Sequence, residues 1–353
     1  MGENTGQIVV GNECRPGKAG IFPTSNIVCN FYLAGVFYHH TAMKPFITLI
    51  TLGVLLGSPV FLQAKITRTV EKTFTVQPGG DLKVQTSGGD IQVLTGTDNE
   101  VKVTARQRIN ADSEEKADEL LKNLELTIEQ QANNITAKAK YGKPAGWHWG
   151  STPVTVSFTV VVPKHYNVDL NTSGGDIGLE SISGQARLRT SGGNLKLDRI
   201  EGEVDGGTSG GDISLREGTA SVKLNTSGGN IHVDRAGGEA ELSTSGGDIV
   251  IDSVRGRLSA STSGGDIRAS IEGSLKGSCA LSTSGGNVTV SVEKSAAFDL
   301  KSRTSGGNVD ADGLTIAIEK GGLRKSSLSG KVNGGGPELS LGTSGGDIRI
   351  RAK

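Results

Sequence analysis

The sequence predicts an all-β protein, a right-handed parallel β-solenoid of about ten turns with 18–21 residues in each turn. The first observation behind this prediction is a five-residue motif, Thr-Ser-Gly-Gly followed by Asp or Asn, which occurs ten times. The second is its spacing, which is eighteen residues at every step from Thr172 to Thr262. A fixed period of this length is typical of stacked-repeat proteins. The motif begins at Thr86, Thr172, Thr190, Thr208, Thr226, Thr244, Thr262, Thr283, Thr304 and Thr343.

A third observation is the alternation of apolar and polar residues on both sides of the motif, which indicates short, half-buried strands. Leu usually lies two residues before the Thr, and Ile, Leu or Val follows the Asp or Asn. Each turn should therefore contain two strands joined by the Ser-Gly-Gly corner, with the Thr facing inward. We expect the corner glycines to supply positive φ angles. Cys279 falls on the inward face, where it is expected to act as a small buried hydrophobe.

The composition excludes some classes of partner. The chain has 353 residues, of which 53 are Gly, and the glycines follow the repeat, so disorder is a poor explanation for them. The 37 basic and 37 acidic residues balance, which argues against a nucleic-acid partner. No polybasic stretch is present that would favour an anionic membrane surface.

The N-terminal region is typical of an exported protein. Residues 43–64 combine a charged start, an apolar run over 46–62 and a small residue at the end, which predicts a signal peptide. The alternative is an uncleaved membrane anchor through 46–62. Residues 1–42 would then be a non-native upstream extension. We expect a periplasmic, outer-surface or secreted location.

Residues 65–167 are expected to form an N-terminal cap module, because an open solenoid end would expose its core and an unpaired strand edge. This module contains the first repeat, a short helix and a hairpin. Asp112, followed by Glu115 three residues later, is a candidate capping box for the helix. The solenoid repeats would then occupy residues 168–353.

The last part of the repeat region is less regular. Thirty-nine residues separate Thr304 from Thr343, and residues 329–332 are expected to belong to a degenerate repeat within that interval. No capping segment is visible after the final apolar pair, so we expect an exposed edge there. Such an edge favours association with a partner or end-to-end self-association.

The Asp and Asn residues of the motif should form one column along the stack, about 5 Å apart. Alternation of Asp with Asn separates like charges, and these side chains can accept hydrogen bonds from corner amides. We therefore predict a structural corner ladder; the alternative is a calcium-binding β-roll, for which the adjacent Asp248 and Asp266 are the metal candidates. The predicted ladder consists of Asp176, Asn194, Asp212, Asn230, Asp248, Asp266, Asn287, Asn308 and Asp347.

One loop breaks the pattern and holds both tryptophans of the chain. Trp147, His148 and Trp149 are a candidate binding loop, since aromatic side chains are common recognition anchors; the alternative is that the rings cover the cap core. We expect no cofactor and no catalytic residue, because no nucleophile triad, P-loop or dinucleotide fingerprint is present. A second acidic column that includes Asp198 and Asp234 is interleaved with arginines, so ion pairs explain it. A polysaccharide-degrading β-helix enzyme is the less favoured alternative.

The repeated Ser-Gly-Gly-Asp-Ile turns resemble those of the bacterial "putative adhesin" domain of unknown function, a β-solenoid family. The strand-helix-hairpin insert and the Val-Val-Pro-Lys stretch at 161–164 are similar to it as well, and the resemblance covers roughly residues 70–353. The family name implies adhesion, and the family has no shared catalytic residues. The resemblance therefore implies a non-enzymatic cell-surface or envelope protein that binds a protein or a glycan, or acts as a scaffold.

Overall fold

The structure is a computed structural model, and it describes residues 65–142 and 153–353. Their strands form two long sheets, here called the first sheet, with thirteen strands, and the second sheet, with fourteen. Strands of successive repeats pair in parallel, so the prediction of an all-β parallel solenoid is confirmed. None of the helical segments in the described ranges has the length and hydropathy of a membrane span. The predicted segments 1–42 and 43–64 lie outside these ranges.

The region before the regular repeats contains seven strands and one helix, α1. Ser113 caps α1, because its extended backbone lets the hydroxyl accept a hydrogen bond from the Lys116 N–H at 3.2 Å. The predicted capping residue, Asp112, is therefore wrong by one position. The elements are β1 Lys65–Thr75, β2 Gly80–Thr86, β3 Ile91–Thr95, β4 Glu100–Asn110, α1 Glu114–Leu121, β5 Leu124–Gln131, β6 Asn134–Tyr141 and β7 Val154–Val162.

The regular turns follow, each with one strand in the second sheet and the next strand in the first sheet. Equivalent residues pair from turn to turn with no change of register over most of the stack. Their strands are β8 Tyr166–Asn171, β9 Ile177–Leu179, β10 Ala186–Arg189, β11 Leu195–Ile200, β12 Val204–Gly207, β13 Ile213–Gly218, β14 Val222–Asn225, β15 Ile231–Ala236, β16 Ala240–Ser243, β17 Ile249–Val254, β18 Leu258–Ser261, β19 Ile267–Ile271, β20 Cys279–Ser282 and β21 Val288–Val292.

The core lies between the two sheets and consists of the residues that alternation places inward. Leu188, Leu224 and Ile231 are each at most 1 % exposed, and so are their equivalents in most turns. The ten motif threonines are also buried, with exposed fractions of 2–7 %. Thr208 illustrates why a hydroxyl is tolerated there. Its Oγ1 donates to the Gly193 carbonyl at 2.8 Å and accepts from the Gly211 N–H at 3.3 Å, so the buried polar group has two partners.

The corner glycines are required for a reason other than the predicted one. None of the motif glycines has a positive φ, so the expectation of left-handed corners is wrong. The second glycine of each motif instead packs directly against the backbone of the neighbouring turn. A Cβ on Gly193 would lie 2.0 Å from the Gly175 carbonyl oxygen, whereas a Cβ on the first glycine, Gly192, would lie 3.7 Å from its nearest neighbour. Close stacking of the turns therefore excludes any side chain at the second glycine.

The first repeat is not the outermost turn. The turn formed by β2 and β3 lies between two other turns. Strands β6 and β7 flank it on one side, and strands β8 and β9 flank it on the other. The turn of β6 and β7 lacks the motif. Its Val156 carbonyl nevertheless accepts a hydrogen bond from the Thr86 hydroxyl at 2.8 Å, as a glycine carbonyl does in the motif turns. Strands β4 and β1 then pair antiparallel beyond β7, and β5 pairs antiparallel beyond β6. This antiparallel layer covers the N-terminal end of the repeat stack.

The last repeat is also placed between turns that precede it in the chain. On one side of its two strands lies the turn of β20 and β21. On the other side lies the turn that follows β21 in the chain, which is outermost among the motif turns. Beyond that outermost turn, a hairpin extends the second sheet in antiparallel fashion. These elements are β22 Phe298–Thr304, β23 Val309–Asp312, β24 Ile316–Arg324, β25 Ser327–Val332, β26 Glu338–Thr343 and β27 Ile348–Ala352.

Two expectations for this end are therefore wrong. Residues 329–332 lie in β25, because the chain reverses at Lys325 and Ser326 and β25 then pairs antiparallel with β24 on one side and with β22 on the other. The final motif turn does not form an open edge, because β22 and β23 cover it. In the first sheet, β23 is the strand at the edge.

Candidate functional site

The corner column of Asp and Asn side chains runs along one edge of the stack. In every motif turn except the outermost, the side-chain Oδ1 accepts a hydrogen bond from the backbone N–H of the equivalent residue in the next turn, at 2.7–3.0 Å. Where Asn follows Asp in the regular stack, the Asn amide also donates to the preceding carboxylate at 3.2–3.3 Å. In spatial order the column reads Asp90, Asp176, Asn194, Asp212, Asn230, Asp248, Asp266, Asn287, Asp347 and Asn308.

Asp248 and Asp266, the metal candidates, lie next to each other in this column. The Asp248 Oδ1 accepts the Asp266 N–H at 2.7 Å, and the Asp266 Oδ1 accepts both the N–H and the side-chain amide of Asn287. The Asp266 Oδ2 accepts from Arg268 at 2.7 Å. Because donors already surround the Asp266 carboxylate, a cation would have to displace them. Asp90 and Asp176 form a second adjacent pair, which the sequence spacing did not reveal.

The outward surface of the second sheet carries a column of charges that the sequence analysis missed. Directly paired residues on six neighbouring strands alternate in sign along the stack. All occupy the position three residues before the motif Thr, so a comparison of that position at the repeat period would have found them. This charge column consists of Lys83, Asp169, Arg187, Asp205, Lys223 and Glu241.

The charge column is held by ion pairs at the surface. Lys83 lies 3.5 Å from Asp169, and Lys223 lies 2.9 Å from Glu241. Arg189, two residues after Arg187 on β10, donates to the Asp205 Oδ2 on the adjacent strand at 2.6 Å; the residue paired with Arg189 on that strand is Gly207, which has no side chain. The other Asp205 oxygen, Oδ1, is enclosed and has no hydrogen-bond partner among the described residues. A shallow groove of about 510 Å³ follows the column over Lys83 to Lys223.

The outward surface of the first sheet has a less regular charge pattern. A hydrogen bond from Arg216 lowers the pKa of the Asp198 carboxyl below its usual range, although burial opposes this effect. The His232 Nε2 lies 2.9 Å from Asp234 and 3.5 Å from Asp252. Within the described ranges, these three side chains are the one group of His, Cys, Asp and Glu residues placed to share a cation. The imidazole already contacts both carboxylates, so a metal would have to replace these contacts.

The remaining candidates lie elsewhere. Trp147, His148 and Trp149 fall outside the described residues, so their placement stays a prediction. Cys279 is buried, and that burial raises the pKa of its thiol, which keeps it neutral. The exposed large apolar side chains of the described residues are Ile318 and Leu323, both on β24 at the edge of the second sheet.

A family model matches residues 80–351, which include every motif repeat and both sheet faces. The chain belongs to the Toastrack DUF4097 family. No curated protein matches this Toastrack chain.

Several solved structures are similar to this Toastrack chain. A putative adhesin from Parabacteroides merdae has 13 % identity and a TM-score of 0.40, with 80 % of this chain and 96 % of that chain covered. A putative adhesin from Bacteroides fragilis has 13 % identity and a TM-score of 0.36, with 80 % and 97 % covered. A putative lipid binding protein from Parabacteroides distasonis has 16 % identity and a TM-score of 0.33, with 80 % and 96 % covered.

The alternation in the corner column leads to a stability prediction. Asn230→Asp places a carboxylate between Asp212 and Asp248 and removes the amide that donates to Asp212 at 3.3 Å. We expect a loss of about 1 kcal/mol at neutral pH and low salt, because like charges about 5 Å apart repel. In this variant, the repulsion raises the pKa of the introduced carboxyl group in the folded state. The loss should therefore shrink as the pH falls through about 4, where carboxyls take up protons.

The matched control is Asp248→Asn, which keeps the Oδ1 acceptor for the Asp266 N–H and removes the charge repulsion within that pair. This variant should be as stable as the parent chain, or more stable. Urea unfolding followed by circular dichroism at several pH values measures both effects. Equal stability changes in the two variants would contradict the electrostatic explanation of the alternation.

Proposed function

We propose that this Toastrack chain is a non-enzymatic, exported, adhesin-like protein of the cell envelope or surface, which binds a protein or a glycan through the outward surface of its second sheet. The observation that carries this proposal is the charge column, because it places six charges of alternating sign on neighbouring, paired strands. A binding surface of this kind recognises a partner by complementary charge over an extended area rather than by enclosing it.

Physical considerations support the charge column as a binding surface. At the strand spacing of about 4.8 Å, its six positions span on the order of 24 Å. The parallel strands fix this spacing, so binding costs little backbone ordering. The Lys83–Asp169 and Lys223–Glu241 ion pairs of the column are exposed, and pairs of this kind contribute little to fold stability. Their side chains can therefore exchange partners with a bound molecule at little cost in stability.

The pairing of the acidic side chains with Lys, Arg or His supports the non-enzymatic part of the proposal. On the first sheet, Asp198 pairs with Arg216, and Asp234 and Asp252 pair with His232. On the second sheet, the carboxylates of the charge column pair with Lys or Arg. Each of these carboxylates thus has a structural partner that accounts for its presence. No observation favours a polysaccharide-degrading activity over surface binding, and the hydrogen bonds to Asp266 favour a structural role over calcium binding.

The export part of the proposal rests on residues 43–64, which precede the described ranges. The sequence pattern predicts cleavage after Ala64, so the mature chain should begin at Lys65, where β1 starts. N-terminal sequencing of the protein recovered from a producing bacterium tests this directly. A chain that retains residues 46–62 in the membrane fraction would instead support the membrane anchor, and a chain beginning at Met1 in the cytoplasm would contradict export.

A pair of matched variants tests the binding surface. Replacing Lys83, Arg187 and Lys223 by Gln removes the positive members of the charge column, and replacing Lys196, Arg268 and Arg349 by Gln removes as many charges from the first sheet. The first variant should bind envelope proteins and surface polysaccharides at least about tenfold more weakly than the parent chain, and the control should bind as the parent does. Biolayer interferometry at several salt concentrations measures this. Equal binding by both variants, or no binding by the parent chain to either class of ligand, would contradict the proposal.

A further inference from the structure

The final motif turn occupies a slot between two turns that come before it in the sequence. This inserted turn consists of β26 and β27. On one side it forms four residue pairs with β20 and five with β21. On the other side it forms six residue pairs with β22 and four with β23. The inserted turn is therefore bound along both strands and on both faces.

The inserted turn also connects the end of the stack to the rest of the protein. Strand β22 pairs only with β25 and β26 among the described strands, and β23 pairs only with β27. The hairpin of β24 and β25 pairs with the stack at β22, along which β25 lies antiparallel. All strand pairing between residues 298–332, here called the end unit, and the preceding repeats therefore passes through the inserted turn. If the inserted turn were removed, the end unit would be joined to the preceding repeats through residues 293–297 and would have no strand pairing with them.

The contacts that hold the inserted turn are those of every other turn. The Thr343 hydroxyl donates to the Gly286 carbonyl at 2.8 Å, and the Thr304 hydroxyl donates to the Gly346 carbonyl at 2.8 Å. These partners are backbone groups placed at the same register throughout the stack. The slot therefore selects a turn by its general shape and hydrogen bonding, and it does not depend on which copy of the chain supplies that turn.

The corner column makes the slot suitable for a turn with Asp at the motif position. Asn287 and Asn308 flank the slot, so Asp347 is inserted between two neutral amides. Direct stacking of the end unit on the preceding turn would instead place Asn287 next to Asn308. The slot thus receives a carboxylate without a neighbouring carboxylate, which preserves the alternation of charge.

The connection to the inserted turn has the features of a hinge. Asn333, Gly334 and Gly335 all have positive φ angles, of 50°, 96° and 87°. The Asn333 side chain holds the connection in place by donating to the Lys294 and Ala296 carbonyls, both at 2.9 Å. Glycine adopts other backbone conformations at low cost, so an extended path for this short segment is accessible. A change at these few residues would carry the inserted turn away from its own slot.

We propose that the inserted turn is exchanged between copies of this chain, with β26 and β27 of one copy filling the slot of a second copy. Reciprocal exchange gives a closed dimer in which the contacts that the inserted turn makes within the monomer are made between chains. Exchange in one direction leaves one copy with a vacant slot and the other with an unpaired inserted turn. Further copies can then bind at that slot or at that turn. The proposal is independent of the partner-binding function proposed above, because it uses the end of the stack and not the charge column.

Disulfide trapping tests the exchange. Ser282 on β20 pairs with Gly342 on β26, and a Cβ on Gly342 would lie 4.0 Å from the Ser282 Cβ, within the range of a disulfide. The full chain would carry Ser282→Cys and Gly342→Cys, with Cys14→Ser, Cys29→Ser and Cys279→Ala to remove the native thiols. After incubation at high protein concentration in mild urea and return to buffer, oxidation should yield covalent dimers on a non-reducing gel. Their fraction should rise with concentration during the incubation.

The matched control places the disulfide between Ser243 and Ser261, which pair on successive turns of the regular stack. Ser243→Cys with Ser261→Cys, in the same background, should give disulfides within one chain only. Covalent dimers from the Ser282–Gly342 pair and not from the control support exchange. Disulfides only within single chains from both pairs, at every concentration, would overturn the proposal.

A second measurement uses the unaltered chain and can still overturn the proposal if the cysteine variants do not fold. Isotopically light and heavy copies are mixed, taken through the same urea step and weighed by native mass spectrometry. Dimers of mixed mass are expected. If only monomers, or only dimers of a single isotopic composition, are recovered, exchange does not occur.

Discussion

The structure depends on the close backbone approach at the motif corner. The second glycine of each motif lies so near the carbonyl of the adjacent turn that a Cβ there would approach to about 2.0–2.2 Å. The same carbonyl accepts the buried hydroxyl of the motif Thr, so one contact excludes side chains and the other satisfies a polar group in the core. Both contacts repeat at the same register, which is why the leucine and isoleucine layers and the outward charges also align from turn to turn.

Repetition of this corner explains how the two ends of the stack are built. Because each slot between turns offers the same contacts, a turn can be inserted between neighbours that are distant from it in the sequence. The first repeat is placed in this way beside β6 and β7, and the last beside β22 and β23. Antiparallel strands then continue the sheets beyond the parallel stack. Such strands reduce the exposure of parallel edges to other chains.

Local properties of the repeat could be predicted from the sequence, whereas the order of the end turns could not. Alternation around the motif placed Thr208 and Leu224 inward, because side-chain direction in a strand depends only on adjacent residues. The position of Asp347 between Asn287 and Asn308 depends on which turn contacts which, and spacing carries no information on this once an insert intervenes. The charge column was readable at the repeat period but was overlooked, and the Trp147–Trp149 loop stays a prediction.

The most direct test of this explanation compares the two glycines of one corner. Gly193→Ala adds a methyl group 2.0 Å from the Gly175 carbonyl oxygen, whereas Gly192→Ala places one 3.7 Å from the nearest atom. Urea unfolding should show Gly193→Ala destabilised by about 2–3 kcal/mol, as expected for forced overpacking, and Gly192→Ala within about 0.5–1 kcal/mol of the parent chain. Equal stability of the two variants would contradict the claim that close backbone approach at the corner sets the stacking of the turns.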